Sequence, residues 1–220
     1  MRYKGIIFDF NGTMYFDSDK HEKAWNEIRR ELGYEPLSPD VFRQNTHGKT
    51  SKEILKYFFG DKYDDNKINS LIRRKGLIYR QLCLQDPNGM RLVDGLENYL
   101  DYLIAHNIPI AIATSASDSS IKFYMEVFHL DKWFSRDNII NTDSSMKSKP
   151  APDIYLRAAK KLNLNPKDIV VYEDAPSGVM SAFNAGVGKI IGVNDERLCE
   201  LSCIEDIIFD YSKEHEKNMI

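Results

Sequence analysis

Ile6-Ile7-Phe8-Asp9-Phe10-Asn11-Gly12-Thr13 is an apolar run, rich in Ile and Phe, that closes on an acid, an amide and a glycine. A run of this length bounded by Gly12 reads as a buried strand that ends in a tight loop. Asp9 then stands where the strand runs out. In an open parallel sheet the carboxyl ends of the strands border the crevice in which ligands bind, so a carboxylate placed there can act on a substrate or hold a metal. A lone strand-end Asp is more often a turn residue. The remainder of the chain separates these two readings.

At 220 residues the chain can form one good-sized core, or a core with a smaller inserted unit. The formal charge is -3 and the basic residues are scattered, with no Lys/Arg stripe interleaved with aromatics, so no nucleic-acid partner is expected. No apolar run is long enough to span a bilayer, and Met1-Arg2-Tyr3-Lys4 leads straight into a strand that contains an acid, which argues against a membrane span and a signal peptide. Cys83, Cys199 and Cys203 show no Cys-x-x-Cys spacing, and an odd number does not suit a disulfide scaffold. A reduced, cytoplasmic monomer without a membrane partner is the expectation. Cys199 and Cys203, four apart, read most simply as small buried hydrophobes on one helix face.

Between residues 16 and 88 the pattern is helical throughout. Ala24, Trp25, Ile28 and Leu32 repeat at spacings of three and four in a helix from Asp19 to Gly33, and further helices are expected over Ser38–Asn45, Ser51–Phe59 and Asn66–Leu84. This block is far longer than a crossover connection needs, so it reads as an inserted helical domain over 16–88, flanked by a core formed from 1–15 and 89–220. From Leu92 onward strands and helices alternate. Strands are expected at Ile108–Thr114, Asn138–Ile140, Asp168–Asp174 and Lys189–Val193. Between them lie helices from about Asp94 to Asn107, Ser119 to Phe128, Asp153 to Leu162 and Ser177 to Ala185. Such alternation implies an α/β fold with a doubly wound parallel sheet. The segment Lys213–Ile220 reads as a frayed tail.

Strand ends and adjoining loops thus present Asp9, Thr114, Lys149 and the pair Glu173-Asp174. Each alone is weak evidence: a Thr can cap, a Lys before Pro can be solvated, and paired acids are often surface groups. Together they supply what phosphoryl transfer needs, namely a carboxylate nucleophile, acids to hold Mg²⁺, and a hydroxyl and an ammonium to take up phosphoryl charge.

Asp9-Phe10-Asn11-Gly12-Thr13 resembles the first motif of the haloacid dehalogenase superfamily, Asp-x-Asp-Gly-Thr/Val after a hydrophobic strand. Ala113-Thr114-Ser115 is similar to its second motif, Lys149-Pro150-x-Pro152-Asp153 to its third, and Val171-Tyr172-Glu173-Asp174-x-x-x-Gly178 to its fourth. The resemblance runs along essentially the whole chain. It implies a Mg²⁺-dependent phosphatase of a small phosphorylated metabolite, with sugar phosphates among the candidate substrates. In that reading Asp9 is the nucleophile that becomes an aspartyl phosphate, and Thr114, Ser115 and Lys149 bind the phosphate. Mg²⁺ is held by Asp9, Asp174 and the backbone carbonyl of Asn11, with Glu173 as a further candidate.

The helical insertion resembles the cap of the subfamily that contains β-phosphoglucomutase and sugar-phosphate phosphatases. That likeness implies that His21, Gly48 and Lys75 face the substrate. A helix-start role for His21, and a solvated face for Lys75 within Arg73-Arg74-Lys75, are the competing readings. The Arg with which the mutase grips a distal phosphate has no counterpart in Lys49-Thr50-Ser51-Lys52. Asn11 is the sharpest departure, because the family's phosphatases and mutases carry there an Asp that protonates the leaving oxygen and then activates water. An amide hydrogen-bonds but does not exchange that proton. A mutase, suggested by the cap residues, and a phosphate-ligand binding protein with impaired chemistry, suggested by Asn11, are the alternatives, and a dehalogenase fits the Thr114, Lys149 and acid set less well.

Overall fold

The computed structural model describes residues 3–143 and 145–214. Contacts divide the chain into two compact units, Met1–Phe16 with Leu92–Ile220, and Asp17–Arg91. The first is built on a six-stranded sheet. Its strands are β1 (Gly5–Phe8), β2 (Ile110–Thr114), β3 (Ile139–Asn141), β4 (Ile169–Glu173), β5 (Lys189–Val193) and β6 (Asp206–Ile208). They lie in the order β3-β2-β1-β4-β5-β6, and every pair is parallel. Parallel strands need crossovers, and the helices α5 (Leu96–Ala105), α6 (Asp118–Val127), α7 (Asp153–Lys161) and α8 (Pro176–Asn184) supply most of them.

β1 is flanked by β2 and β4, with Ile7 opposite Ala111 on one side and Val171 on the other. Because side chains alternate across a strand, Ile7 and Val171 join one buried cluster with Tyr155, Ala158 and Ala159 of α7 and Val179 and Ala182 of α8. Phe8 points the other way, stacked on Tyr172 at 5.1 Å between ring centroids and edge-on to Tyr99 of α5 at 6.4 Å. With both faces covered, β1 carries no polar residue before its end, which is why it reads as a continuous apolar run.

Three features of this unit differ from the expectation. The strand expected from Ile108 begins at Ile110; Pro109 has no N–H to give to a ladder, though its carbonyl still accepts from Ile6 N at 3.0 Å. The strand β6, Asp206-Ile207-Ile208, is additional to those expected. The two C-terminal cysteines also differ from their reading as buried partners on a helix. Residues 196–200 form a 3-10 turn rather than an α-helix, and Cys199 is exposed and Cys203 half-buried. Of the tail expected to fray, residues 215–220 lie outside the described ones.

The second unit contains α1 (Ser18–Glu31), α2 (Pro39–Thr46), α3 (Ser51–Phe59) and α4 (Asp65–Leu84). Trp25 and Ile28 of α1 meet Phe42, Ile54, Leu55, Phe59, Ile68 and Leu71 in its core. Its helix starts are set by short-range hydrogen bonds. Thr50 and Glu53 cap α3 reciprocally, and the Asp64 carboxylate accepts from Lys67 N at 2.8 Å ahead of α4. Buried Asn26 holds the α1–α2 connection, accepting from Leu37 N at 2.9 Å and donating to Leu37 O at 3.2 Å.

Ile7 is fully buried at the centre of the sheet. Ile7→Ala is expected to lower unfolding stability by about 2–5 kcal/mol through lost transfer energy and an unfilled cavity. Urea titration followed by far-UV circular dichroism measures the change.

Candidate active site

Register brings the chemistry together. Phe8 pairs with Ile112 and Tyr172, so Asp9, Ala113 and Glu173 follow at the same end of three adjacent strands. Asp9 N donates to Tyr172 O at 2.9 Å, which fixes the acid beside β4. Lys149 arrives from the loop before α7, and its Nζ donates to Asp9 Oδ1 at 2.7 Å, Glu173 Oε2 at 2.8 Å and Ala113 O at 3.4 Å. The ammonium therefore joins β1, β2 and β4 at one point. Lys149 and Glu173 side chains are 1% exposed and that of Asp9 is 9% exposed, so water does little to screen these charges.

Glu173 is held from three sides. Tyr155 donates to its Oε2, Ala175 N donates to its Oε1 at 3.2 Å, and α8 passes so close that a Cβ on Gly178 would lie 2.1 Å from its Cδ. Burial, and next the charge of Glu173, push the Asp9 carboxyl up to about 7 despite the opposing pull of Lys149. For Lys149, burial acts to lower the value, but the Asp9 and Glu173 carboxylates outweigh it and hold the ammonium well above its ordinary range.

The loop after β1 turns sharply around Gly12, whose φ is +83°. Gly12 N donates to Tyr15 O at 2.8 Å, and a Cβ at Gly12 would come 2.1 Å from Asp174 Oδ2. Thr13 Oγ1 donates to Asp174 Oδ1 at 3.4 Å. Asp9, Glu173 and Asp174 each offer a carboxylate oxygen within 4.8 Å of the others. Three carboxylates against one ammonium leave an excess of negative charge, and hard oxygen donors suit Mg²⁺, so the residues present fit that ion. Thr114 is buried at the end of β2, where its Oγ1 accepts from Ala116 N at 3.1 Å, and the half-buried Ser115 follows it. Asn11 is half-buried, and its Nδ2 donates to the hydroxyl of Tyr124 at 2.8 Å.

His21 and Lys75 meet within the helical unit. Lys75 Nζ lies 2.5 Å from His21 Nδ1, His21 Nε2 lies 3.2 Å from Asp17 Oδ2, and the Tyr79 hydroxyl donates to the same Asp17 oxygen. Lys75 is buried and sits 4.8 Å from the Tyr79 ring centroid and 5.4 Å from that of Trp25, so the solvated-face reading of this lysine does not hold. Burial pulls the Lys75 ammonium down to about 7. It also lowers His21, with Lys75 adding to the effect. Gly48 lies in the turn after α2 with φ +72°.

Several residues that shape these sites do not stand out from the sequence. Asp17 precedes His21 by four and Tyr79 follows Lys75 by four, a helical spacing that could have revealed both. Tyr155 and Tyr124 touch the site only through the tertiary fold, and nothing in their local pattern separates them from core tyrosines.

A family model for haloacid dehalogenase-like hydrolases matches residues 6–193. Hexitol phosphatase A of Escherichia coli is 30% identical over 194 residues, covering 88% of this chain and 84% of that protein. Beta-phosphoglucomutase of Bacillus subtilis is 28% identical over 189 residues, covering 84% of this chain and 80% of that one. The crystal structure of a family IA, variant 3 hydrolase of the same superfamily from Entamoeba histolytica superposes with a TM-score of 0.85 at 32% identity, covering 100% of this chain and 99% of that chain. This chain belongs to the haloacid dehalogenase-like hydrolase family.

The buried Lys75 gives a pH signature. Its value in the folded protein, about 7, is below the ordinary 10.5 expected once the chain unfolds, so between these limits the unfolded state binds more protons. Stability attributable to this group therefore rises with pH from about 7 to 10.5. Urea midpoints at pH 7 and pH 9 should show the wild type gaining stability relative to Lys75→Met over that interval.

Proposed function

We propose that this chain is a Mg²⁺-dependent phosphatase of a small phosphorylated metabolite, a sugar or polyol phosphate foremost, working through an aspartyl phosphate on Asp9. The observation that carries the reading is the buried Lys149 ammonium bridging Asp9 and Glu173 at adjacent strand ends, with Asp174 beside them. An Asp9 oxygen bonds to phosphorus as the ester P–O bond breaks, and water then attacks the same phosphorus to release phosphate and free Asp9. Lys149, Thr114 and Ser115 bind the phosphoryl oxygens. Asp9, Asp174 and the backbone carbonyl of Asn11 would hold Mg²⁺, which when bound offsets the repulsion between carboxylate and phosphate. Glu173 also belongs to the acid cluster, but both its oxygens already accept hydrogen bonds, and its role in this reading is to keep Lys149 in place.

Hexitol phosphatase A and its 30% identity to this chain support a polyol or sugar phosphate as substrate. We further propose His21, Gly48 and Lys75 of the helical unit as the residues that select it. The mutase reading stands second, supported by the relative from Bacillus subtilis. It requires β-glucose 1-phosphate to be converted to glucose 6-phosphate.

Phosphate release from hexitol and hexose phosphates is expected with Mg²⁺ present, and loss of it on chelation or in Asp9→Asn. Equal release by the wild type and Asp9→Asn would remove the reading. Calorimetric binding of Mg²⁺ and phosphate with no turnover on any ester would make the chain a ligand-binding protein instead. Asn11→Asp restores a proton-exchanging group and is expected to raise alkyl-ester turnover by about 10²-fold. Peptide mass is checked first, because Asn11-Gly12 is prone to deamidation and molecules in which Asn11 has become an aspartate would contribute to the wild-type rate.

A further inference from the structure

An amide at position 11 leaves the leaving oxygen without the carboxylic acid that the resemblance assigns to that place. The described groups around the loop from Asp9 to Thr13 differ in what they touch. Asp9 is the nucleophile of the proposed reaction. Lys149 is locked between Asp9 and Glu173, and Glu173 accepts from Lys149, Tyr155 and Ala175. Asp174 accepts from Thr13 and belongs to the acid cluster. Tyr211 donates its hydroxyl to the backbone oxygen of Thr13 at 3.3 Å. Tyr124 touches the side chain at position 11 itself, its hydroxyl oxygen accepting from Asn11 Nδ2 at 2.8 Å.

Its placement is firm. The ring lies on Phe10, the residue between Asp9 and Asn11, at 4.4 Å between centroids and 21° from parallel. Phe128 packs against both Phe10, at 5.9 Å, and Tyr124, at 6.4 Å. Tyr124 is carried by α6, whose N-cap Ser117 follows three residues after Thr114 at the end of β2. The hydroxyl is thus one hydrogen bond from the place where a carboxyl at position 11 would stand, and a general acid acts directly or through one water.

Resting on the proposed aspartyl-phosphate reaction, we infer that the Tyr124 hydroxyl is the proton carrier of this site, with Asn11 as the group that orients it. In the first half, Asp9 bonds to phosphorus, the ester bond breaks with its electron pair on the leaving oxygen, and the phenol proton passes to that oxygen. The alcohol departs. The phenolate left behind accepts a hydrogen bond from the Asn11 amide. In the second half, water bonds to phosphorus, the Asp9–phosphorus bond breaks, and the water proton returns to Tyr124. Ester and water become alcohol and phosphate, and the tyrosine is regenerated.

Tyr124→Phe keeps the ring on Phe10 and removes only the hydroxyl. Turnover of a hexitol phosphate, whose alkoxide needs the proton, is expected to fall about 10-fold or more. With nitrophenyl phosphate the first half should proceed at the wild-type rate while hydrolysis slows, so a nitrophenol burst and an acid-stable phosphoenzyme mass should appear. In the Asn11→Asp background the same substitution should cost less than about threefold, since the carboxyl then carries the proton. A Tyr124→Phe protein that is as active as wild type overturns the inference. Equal losses for both esters and in both backgrounds also overturn it, and assign the hydroxyl to structure; circular dichroism and the melting temperature identify a folding defect. Failure of the underlying reaction is separable, because Asp9→Asn would then retain turnover whatever Tyr124 does.

Discussion

Lys149 sits between two carboxylates in a place that water barely reaches, and the core of the α/β unit is arranged to tolerate it. Removing an ion from water costs several kcal/mol even after relaxation, and attraction between partners offsets this only when remaining donors and acceptors are satisfied. The satisfaction here is visible atom by atom. Tyr155 and the Ala175 amide complete Glu173, Ala113 O accepts from Lys149, and Gly178 leaves room for the Glu173 carboxyl. Replacing one ion of this set would strand the others, which ties the loop before α7 to three strand ends.

The same constraint explains the aromatic residues on either side of Asp9. Phe8 is fixed in the cluster of Tyr99, Tyr172 and Tyr211, and Phe10 in that of Tyr124 and Phe128. Asp9 is thus carried by a backbone anchored immediately before and after it. A carboxylate positioned this way needs little reordering before it can react, and this is how a rigid sheet contributes to catalysis at a strand end.

Much of this was legible in the sequence because the central strands are buried on both faces and so appear as uninterrupted apolar runs ending in polar residues. Asp9, Glu173 and Asp174 could be grouped for that reason, and Lys149 joined them through the Lys-Pro-x-Pro-Asp pattern of its loop, although none of the distances could be read. Of the two short edge strands, β3 left such a trace and β6 did not. Lys75 stands in a basic triplet, yet Arg73 and Arg74 face outward, Arg74 pairing with Glu31 at 2.6 Å, while Lys75 turns inward. Neighbours on a helix are about 100° apart around its axis, and a charge run read as one face misses this. Tyr124 and Tyr155 illustrate a deeper limit, since a tyrosine ring satisfies a core pattern whether or not its hydroxyl serves a site.

The sheet order has a consequence for how the molecule opens. β3 and β6 are edge strands of three residues each, whereas β1 and β4 are bonded on both sides. Local openings spread inward from the least protected edges. The amides of Ile7 and Val171 should therefore be among the last to exchange with solvent, and the Asp9–Lys149–Glu173 cluster can outlast excursions that fray the rim. Chemistry carried at the middle of the sheet inherits the lifetime of its most slowly opening strands.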